Sequence, residues 1–522
     1  MIGSVIPEGR HLDLRLVPAA LTGWAVTAAG ISWPRGAAVL VLLGCLVGGA
    51  ALACWVSGEP TVASAVRRVA GGVLAVAVLG VAFTTAVILR AEHVRDHPLT
   101  GRYGTTATVT VTPSDSPRYV GGGRLMFRGV LGELDGSESF GRVVVFASAS
   151  DFGQVGAGRP ATFRAQVGRP ARRDLTVAVL SATGEPSLGP APQVQRMAQS
   201  VRTGFAEAAR GALPADQAAM LPALVLGDTS TVPGRTTDDF KAAGLTHLTA
   251  VSGANVTIVC GAVLLGAGVI GPRAAAVLAA LVLAAFVIVV QPSASVLRAA
   301  VMGGVTLVAV LTHRRRQAIP ALSASVLLLL IAAPELAVDA GFALSVTATA
   351  GLVVIAPVWS GRLVGRGWPK ALADAVAVAL AAQLVTAPLV AAISGTVSIV
   401  GVAANLAVAA VIPPITVIGT AAAALCPLWP AGAGLLIRFT GPQLWWLLRV
   451  AEWAASAPGA VLPVPAGWAG LAWVAAGGGG AVLLWRRRWA RLIVAGVAVG
   501  MLAWAVAGHV GGGTGGGAVG PA

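Results

Sequence analysis

One polar stretch, residues 243–256, holds side chains whose chemistry is hard to explain by packing alone. It opens a long apolar run, and besides Gly244 and Gly253 it contains Thr246, His247, Thr249, Ser252 and Asn255. Hydroxyl, imidazole and amide groups are costly to place against hydrocarbon, so they indicate a protein interior or a water-filled path. The alternative is an ordinary membrane helix whose Thr and Ser side chains bond back to their own turn.

A second chemical feature is Arg298, which lies several residues inside another apolar run. Leaving its guanidinium in lipid would cost about 3 kcal/mol or more. Two explanations stay open: an ion pair with an acid, for which Asp339 is the natural candidate, or contact with phosphate in a conducting path. The sequence contains no HxHxD cluster, no GKS or GKT phosphate loop and no nucleophile–base–acid spacing. It therefore predicts no catalytic residue, no metal and no cofactor.

The composition requires that membrane helices position these residues. The chain has 522 residues, of which 56% are hydrophobic and 11% charged, whereas soluble domains carry about a quarter charged residues. Its apolar runs approach the ~20 residues that a spanning helix needs. We predict a polytopic α-helical membrane protein with about 11–13 transmembrane helices, from runs near 12–33, 36–56, 69–89, 250–270, 274–291, 295–312, 318–332, 340–358, 371–392, 398–425, 432–455, 466–485 and 490–508. Pro413-Pro414 predicts a broken segment within 398–425.

Residues 100–187 differ from the rest, because short alternating segments replace the apolar runs. Five strands are predicted between Gly- or Pro-containing turns, at 106–112, 124–131, 142–147, 161–167 and 175–181. This number of strands suits a small all-β barrel of the OB type, inserted after the third helix.

The barrel is rich in arginine, which permits two interpretations. It is either a surface for a polyanion, with Phe127 as a base-stacking platform, or a solvated barrel whose Phe side chains fill the core. The second is favoured for Phe146 and Phe163. The candidate nucleic-acid contacts are Arg118, Arg124, Phe127, Arg128 and Arg164.

The distribution of arginine also predicts the orientation of the chain. Arg10 and Arg15 precede the first run, and Arg67 and Arg68 separate the second from the third. The positive-inside rule then places the N-terminus in the cytoplasm and the barrel outside it. Basic clusters at 313–316, 362–370 and 486–488 fall on alternate connections, all cytoplasmic by the same count.

The order of motifs resembles the ComEC family, competence membrane channels that carry single-stranded DNA inward during natural transformation. The resemblance spans roughly residues 100–425 and rests on Gly227-Asp228, FKAAGLTHLTAVSG at 240–253, PSASVLRAA at 292–300, DAGFALS at 339–345, QLVTAP at 383–388 and Asn405-Leu406. It adds Ser345 and Asn405 to the candidates. The candidate pore or gate residues are Gly244, His247, Thr249, Ser252, Gly253, Asn255, Arg298, Asp339, Ser345 and Asn405.

Two departures from the family pattern have consequences. Asn255 stands where the family often has histidine, and an amide hydrogen-bonds but does not titrate near neutrality. Many members carry a C-terminal metallo-β-lactamase-like domain, and we expect this chain to lack it. The resemblance then implies a separate nuclease, a cytoplasmic motor and an extracytoplasmic DNA receptor as partners, besides single-stranded DNA and the lipid bilayer.

The predicted organisation has five parts. They are a three-helix membrane region at 1–99, the extracytoplasmic OB-like barrel at 100–187, amphipathic or interfacial helices at 188–243, a competence-type helical channel core at 244–508 and a disordered Gly-rich tail at 509–522. The leading hypothesis is transport of single-stranded DNA across the cytoplasmic membrane. The alternative is a transporter of another anionic or lipid-linked solute on the same scaffold. A membrane enzyme using His247 and Ser252 is a third possibility that no residue spacing supports.

Overall fold

The fold is known from a computed structural model, which describes residues 13–57, 63–115, 117–249, 251–291, 294–311 and 318–484. Three helices precede the β-domain: α1 Val17–Ser32, α2 Pro34–Ser57 and α3 Ala63–Arg95. With 33 residues, α3 is roughly 50 Å long at 1.5 Å per residue, whereas the hydrocarbon core of a bilayer is about 30 Å thick. The end of α3 therefore projects beyond the membrane and carries the β-domain.

The β-domain is a closed barrel. Its strands are β1 Thr106–Pro113, β2 Arg118–Gly121, β3 Arg124–Leu134, β4 Ser137–Ser148, β5 Ala161–Gly168 and β6 Ala178–Leu188. Five of them close in the order β1–β3–β4–β6–β5–β1, with β4 and β6 parallel and the other pairs antiparallel. The short helix α4, Ala149–Phe152, lies between β4 and β5. Five strands closed in this way form an OB-like barrel, so the predicted β-domain is confirmed.

The strands differ from the prediction in their extent and number. β4 begins at Ser137 rather than 142, and β3 continues to Leu134 rather than 131. β2 was not predicted, and it pairs only with β3. β6 begins at Ala178 and continues to Leu188, beyond the predicted 175–181, because pairing with β5 rather than side-chain alternation defines its second half. Side chains pointing inward, among them Phe127, Phe152 and Phe163, fill the barrel.

The remaining helices follow the barrel. They are α5 Gln193–Ala212, α6 Ala215–Leu226, α7 Gly234–Ala242, α8 Thr246–Thr249, α9 Gly253–Gly266, α10 Pro272–Val290, α11 Ala294–Leu311, α12 Ala318–Ala332, α13 Ala340–Val354, α14 Ala356–Val364, α15 Lys370–Ser394, α16 Gly401–Val408, α17 Ile412–Leu425, α18 Pro430–Phe439, α19 Gly441–Ser456 and α20 Trp468–Leu484. Two short strands, β7 Thr396–Ser398 and β8 Val461–Pro463, pair antiparallel.

Among the described residues, six helical segments are long and apolar enough to cross a membrane. They are Gly36–Cys54, Val69–Arg102, Gly253–Ile270, Pro272–Val290, Ala340–Val364 and Lys370–Ser394. The bent pair α16 and α17, which meet at 54°, would make a seventh, and its break lies in the run where Pro413-Pro414 predicted one. Several other predicted runs form shorter apolar helices, which explains why fewer segments than runs meet the length of a span. The class of polytopic helical membrane protein is confirmed.

Some predictions concern parts of the chain outside the described residues. They are the run at 490–508, the tail at 509–522 and the basic clusters at 313–316 and 486–488.

Candidate functional site

Gly244 ends helix α7 in a left-handed turn, with φ of +70°. The Leu245 N–H donates to the Phe240 carbonyl at 2.8 Å and the Gly244 N–H to the Lys241 carbonyl at 3.2 Å. This is the Schellman arrangement, in which glycine avoids the strain of a positive φ. A Cβ on Gly244 would also lie 3.2 Å from the Cα of Gly401. The glycine thus turns the chain from α7 into α8 while packed against the start of α16.

Ser252, Gly253 and Asn255 form the turn that begins helix α9. The Ser252 hydroxyl donates to Asn255 Oδ1 at 3.2 Å, and Asn255 Nδ2 donates to the Leu224 carbonyl of α6 at 2.8 Å. Asn255 is buried, so its amide joins α9 to α6 and does not line an open surface. Its role in this structure is to position the turn.

Arg298 lies directly opposite this turn. A Cβ built on Gly253 would be 3.0 Å from Arg298 Nη2, so the absence of a side chain at Gly253 makes room for the guanidinium. Arg298 Nε donates to Ser345 Oγ at 2.9 Å, and Nη1 contacts Met302 Sδ at 3.2 Å. The structure therefore brings together three sequence candidates from three helices: Gly253, Arg298 and Ser345.

The predicted ion pair between Arg298 and Asp339 is not formed. Asp339 caps α13 by accepting from the Phe342 N–H at 2.8 Å, and its other oxygen lies 3.6 Å from Nη1 of Arg128 in the barrel. Within the described residues, no carboxylate oxygen lies within 4.0 Å of the Arg298 guanidinium. A buried arginine with a hydroxyl and a thioether as partners retains an uncompensated positive charge.

The core helices that carry the candidates form a circuit of contacts that is completed by the turn after α7 rather than by a contact between α16 and α9. Helix α9 packs against α11, α11 against α13, α13 against α15, and α15 against α16. The circuit closes where Gly244 meets Gly401 and where the Ser398 hydroxyl donates to the Ala242 carbonyl at 2.7 Å. The candidate polar residues are thus distributed around one group of helices.

Several polar side chains on this circuit and on the neighbouring α8 are not fully buried within the protein. Ser345, Gln383, Thr386 and Asn405 are partly exposed, and Thr246 and Thr257 are exposed. His247 has exposed surface area but is surrounded by many protein atoms. Several threonines bond back to their own helix, as Thr249 does to the Thr246 carbonyl at 2.9 Å. The Asn405 amide likewise donates to the Gly401 carbonyl at 2.7 Å. The local bonding of these hydroxyls matches the interpretation of the stretch as a membrane helix, and the water-filled path stays a prediction.

The barrel surface differs from the prediction at its aromatic residues. Phe127 is 0% exposed in the barrel interior, so it has no face available to a base, and the stacking prediction for it is wrong. Phe146, expected in the core, is partly exposed on the outer face, and the Arg124 guanidinium lies 5.5 Å from its ring centre. Phe146 is thus the partly exposed aromatic side chain that lies beside Arg124 on this face.

The arginine candidates fall into three environments. Arg118 lies in cross-strand register with Met126, and Met126 with Phe146, so these side chains and Arg124 share one face of β2, β3 and β4. Arg164 is exposed on β5, which pairs with neither β3 nor β4. Arg128 faces the helical core through its ion pair with Asp339.

The sequence interpretation missed Arg202 on α5. Its Nη1 donates to the carbonyls of Leu226 at 2.9 Å and Val289 at 3.1 Å, and its Nη2 lies 3.9 Å from Asp228. It is buried, and burial lowers the pKa of its guanidinium, an effect that Asp228 partly offsets. The available signal was helical spacing, because Arg202 falls on the same helix face as Ala198, Phe205 and Ala209.

No group of three or more His, Cys, Asp or Glu side chains is arranged to hold a metal ion anywhere in the described ranges. The distinctive features of the protein are instead the OB-like barrel, the apolar helices and the buried Arg298 among those helices.

This is the architecture of a multi-pass membrane protein with an extramembrane β-domain. It combines apolar helices of spanning length, a closed OB-like barrel and a circuit of helices with polar side chains. The sequence model of a protein family described as Competence protein matches residues 224–489, which is more than half of the chain. The chain belongs to this Competence protein family, whose members act in DNA uptake. A search of curated proteins gave no match, and neither did a search of solved structures.

Proposed function

We propose that this protein conducts single-stranded DNA across the cytoplasmic membrane during natural transformation. The barrel lies on the extracytoplasmic side and receives the strand, and the circuit of helices α9, α11, α13, α15 and α16 carries it inward. The N-terminus is cytoplasmic in this arrangement, as the arginine distribution predicts.

The observation that carries the proposal is the environment of Arg298. A buried guanidinium normally pairs with an acid, because an uncompensated buried charge is costly. Arg298 instead contacts a hydroxyl and a thioether, and it lies beside a glycine in the segment matched by the Competence family. A phosphodiester passing along the helices would supply the missing negative charge.

The barrel favours nucleic acid over another anion. OB barrels bind oligonucleotides on the face of their second and third strands, which here are β3 and β4. That face carries Arg118, Arg124 and the exposed part of Phe146, the combination of cations and aromatic surface that holds single strands. Another anionic or lipid-linked solute remains the alternative substrate.

Conduction also requires that the strand be released. Many weak contacts serve a conducting path better than one tight site, and the small and hydroxyl side chains of the circuit provide such contacts. Since the sequence has no GKS or GKT phosphate loop, we propose that a separate cytoplasmic motor pulls the strand. A separate nuclease and an extracytoplasmic receptor complete the proposed set of partners.

The test is entry of labelled DNA into cells, scored separately for DNA bound at the surface and DNA protected in the cytoplasm. Deletion of the gene should abolish entry and leave surface binding intact. Arg298→Met should reduce entry by roughly 10-fold or more at equal protein abundance, since a charge-assisted contact contributes about 1.5–3 kcal/mol. Arg362→Met, at an exposed arginine of α14, is the matched control and should leave entry unchanged.

Normal DNA entry in the deletion strain would rule out the proposed function. Normal entry with Arg298→Met, at equal abundance, would remove Arg298 from the path. If the deletion strain fails to transport an anionic or lipid-linked solute while DNA entry stays normal, the alternative function is supported instead.

A further inference from the structure

The barrel and the helical core border an open, charged cavity of about 180 Å³. Arg128 and Arg142 border it from β3 and β4, and Arg172 and Arg173 border it from the loop between β5 and β6. The helical core contributes Glu335 and Asp339, which lie before α13. Asp174 of the β5–β6 loop also borders it, so four arginines and one carboxylate of the barrel share this space with two carboxylates of the helical core.

Two of these arginines are paired across the cavity. Arg142 forms an ion pair with Glu335, and Arg128 Nη1 lies 3.6 Å from Asp339 Oδ2. The arginine side chains remain 42% and 45% exposed, whereas Glu335 is 11% and Asp339 21% exposed. The guanidinium groups are therefore reachable by another anion while their present partners are more deeply held.

The cavity coincides with the surface on which OB barrels bind their ligands. That surface consists of the second and third strands together with two loops, one of which joins the last two strands. Here it corresponds to β3, β4 and the loop that carries Arg172 and Arg173. This part of the barrel lies against the helical segments, because Arg142 pairs with Glu335, Arg128 with Asp339, and Arg173 donates to the Ser32 carbonyl of α1 at 3.0 Å.

We infer that this cavity is a phosphodiester-binding site in which Glu335 and Asp339 occupy the positions taken by phosphates of a single strand. The inference rests on the proposed function and names the place where the strand passes from barrel to core. A carboxylate and a phosphate present similar oxygen pairs to a guanidinium, and arginine donates to either in a bidentate manner.

The pairing has a direct consequence for affinity. While the two carboxylates are in place, they cancel charge that a strand needs, and the strand must displace them to bind. Binding is weakened in this way, which suits a strand that must move on. The displaced Asp339 stands at the first turn of α13, the helix that carries Ser345 beside Arg298.

The experiment measures binding of a fluorescent 20-nucleotide oligothymidylate to the full-length protein in detergent. Glu335→Gln, alone and with Asp339→Asn, should raise the affinity about 10-fold, and Asn retains the ability to cap α13. Each arginine released to contact a phosphate should steepen the dependence of log affinity on log salt by about 0.7. An uncharged methylphosphonate oligomer should show no such gain.

Three further variants separate charge at the cavity from charge in general. Glu185→Gln removes one exposed carboxylate from β6 and should leave affinity unchanged. Glu335→Asp keeps the charge and should bind as the parent protein does. Arg142→Glu combined with Glu335→Arg should restore the pairing with reversed sign and bind the oligonucleotide more weakly than the parent protein.

Equal affinity for Glu335→Gln and Glu185→Gln would overturn the inference, as would a gain that persists with the uncharged oligomer. These results are distinguishable from failure of the proposed function, which is scored by DNA entry in the deletion strain. Tighter binding by Glu335→Gln with normal entry in the deletion strain would retain the site and reject the transport role.

Discussion

At the scale of residues, Gly253 and Arg298 act as a pair. The glycine leaves space that the guanidinium occupies, with 3.0 Å between Nη2 and the position a Cβ would take. The family pattern indicated both residues from the sequence, but their contact depends on the packing of α9 against α11. The sequence names two partners for Arg298, and the structure shows that Asp339 instead caps α13 and pairs with Arg128.

Gly253→Leu should displace the guanidinium from Ser345 and stop DNA entry while the barrel remains folded. The reason is steric, because the added side chain occupies the position of Arg298 Nη2. Gly261→Leu is the matched control on the same helix, since no atom lies within 4 Å of a Cβ there. Entry of labelled DNA and resistance of the barrel to protease are the measurements. Normal entry with Gly253→Leu would remove this contact from the mechanism.

A second prediction at this scale concerns His97, at the connection between α3 and the barrel. Its Nδ1 accepts from the Leu99 N–H at 3.2 Å, and its Nε2 lies 3.2 Å from Ser139 Oγ. Burial lowers the pKa of His97, and nearby His93 lowers it further, while the Phe140 backbone opposes the shift. A protonated Nδ1 could no longer accept the Leu99 bond.

Since the pKa of His97 is lower in the folded protein than its ordinary value of 6.5, the unfolded chain takes up the proton first. The stabilisation that neutral His97 contributes is therefore complete above pH 6.5 and is lost as the pH falls below this value. The unfolding temperature of the parent protein should drop more between about pH 7.5 and pH 5.5 than that of His97→Asn. Identical pH profiles for the two proteins would contradict this assignment.

At the scale of elements, Arg202 holds the C-terminal ends of α6 and α10 together. Carbonyls at a helix end lack partners within the helix, and here one guanidinium serves Leu226 and Val289. This places α6 where Asn255 can bond to Leu224. The interaction orders the elements around the polar stretch without itself belonging to the candidate path.

Arg202→Met should destabilise the protein, because each buried carbonyl left without a donor costs about 1–3 kcal/mol. Arg210→Met, at an exposed arginine on the same helix, should have little effect. Thermal unfolding in detergent measures both variants. Equal unfolding temperatures for the two would show that α6 and α10 are held by their apolar contacts alone.

The barrel shows how far element patterns predict side-chain positions. Arg124, Met126 and Arg128 alternate with Leu125 and Phe127 along β3, so two exposed arginines require that Phe127 faces inward. The same rule turns Phe146 outward, because Val145 and Ala147 are buried on β4. The alternation of side chains along β3 and β4 was therefore enough to predict that Phe127 faces inward and Phe146 outward. The arginines that flank Phe127 in the sequence led instead to the wrong choice of Phe127 as the stacking residue. The extent of β6 was not accessible in this way, since it depends on pairing with β5.

At the scale of the whole molecule, the composition predicted a helical membrane protein, because long apolar runs can be recognised without knowing which residues are in contact. Motif order predicted the family and a set of candidate residues. The contact between Arg142 and Glu335 joins residues 193 positions apart in the chain, and no local pattern specifies such a pairing. The closure of the helix circuit at Gly244 and Gly401 is of the same kind.

The barrel is attached to the helices at both of its ends, through α3 before β1 and α5 after β6. Exposed ion pairs such as Arg128 with Asp339 are individually worth only about 0–1 kcal/mol. A tethered partner nevertheless rebinds at an effective concentration on the order of millimolar, so contacts broken by a passing ligand re-form without a diffusional search. The double attachment therefore lets weak contacts act repeatedly, and variants at this junction should change the lifetime of docking rather than detach the barrel.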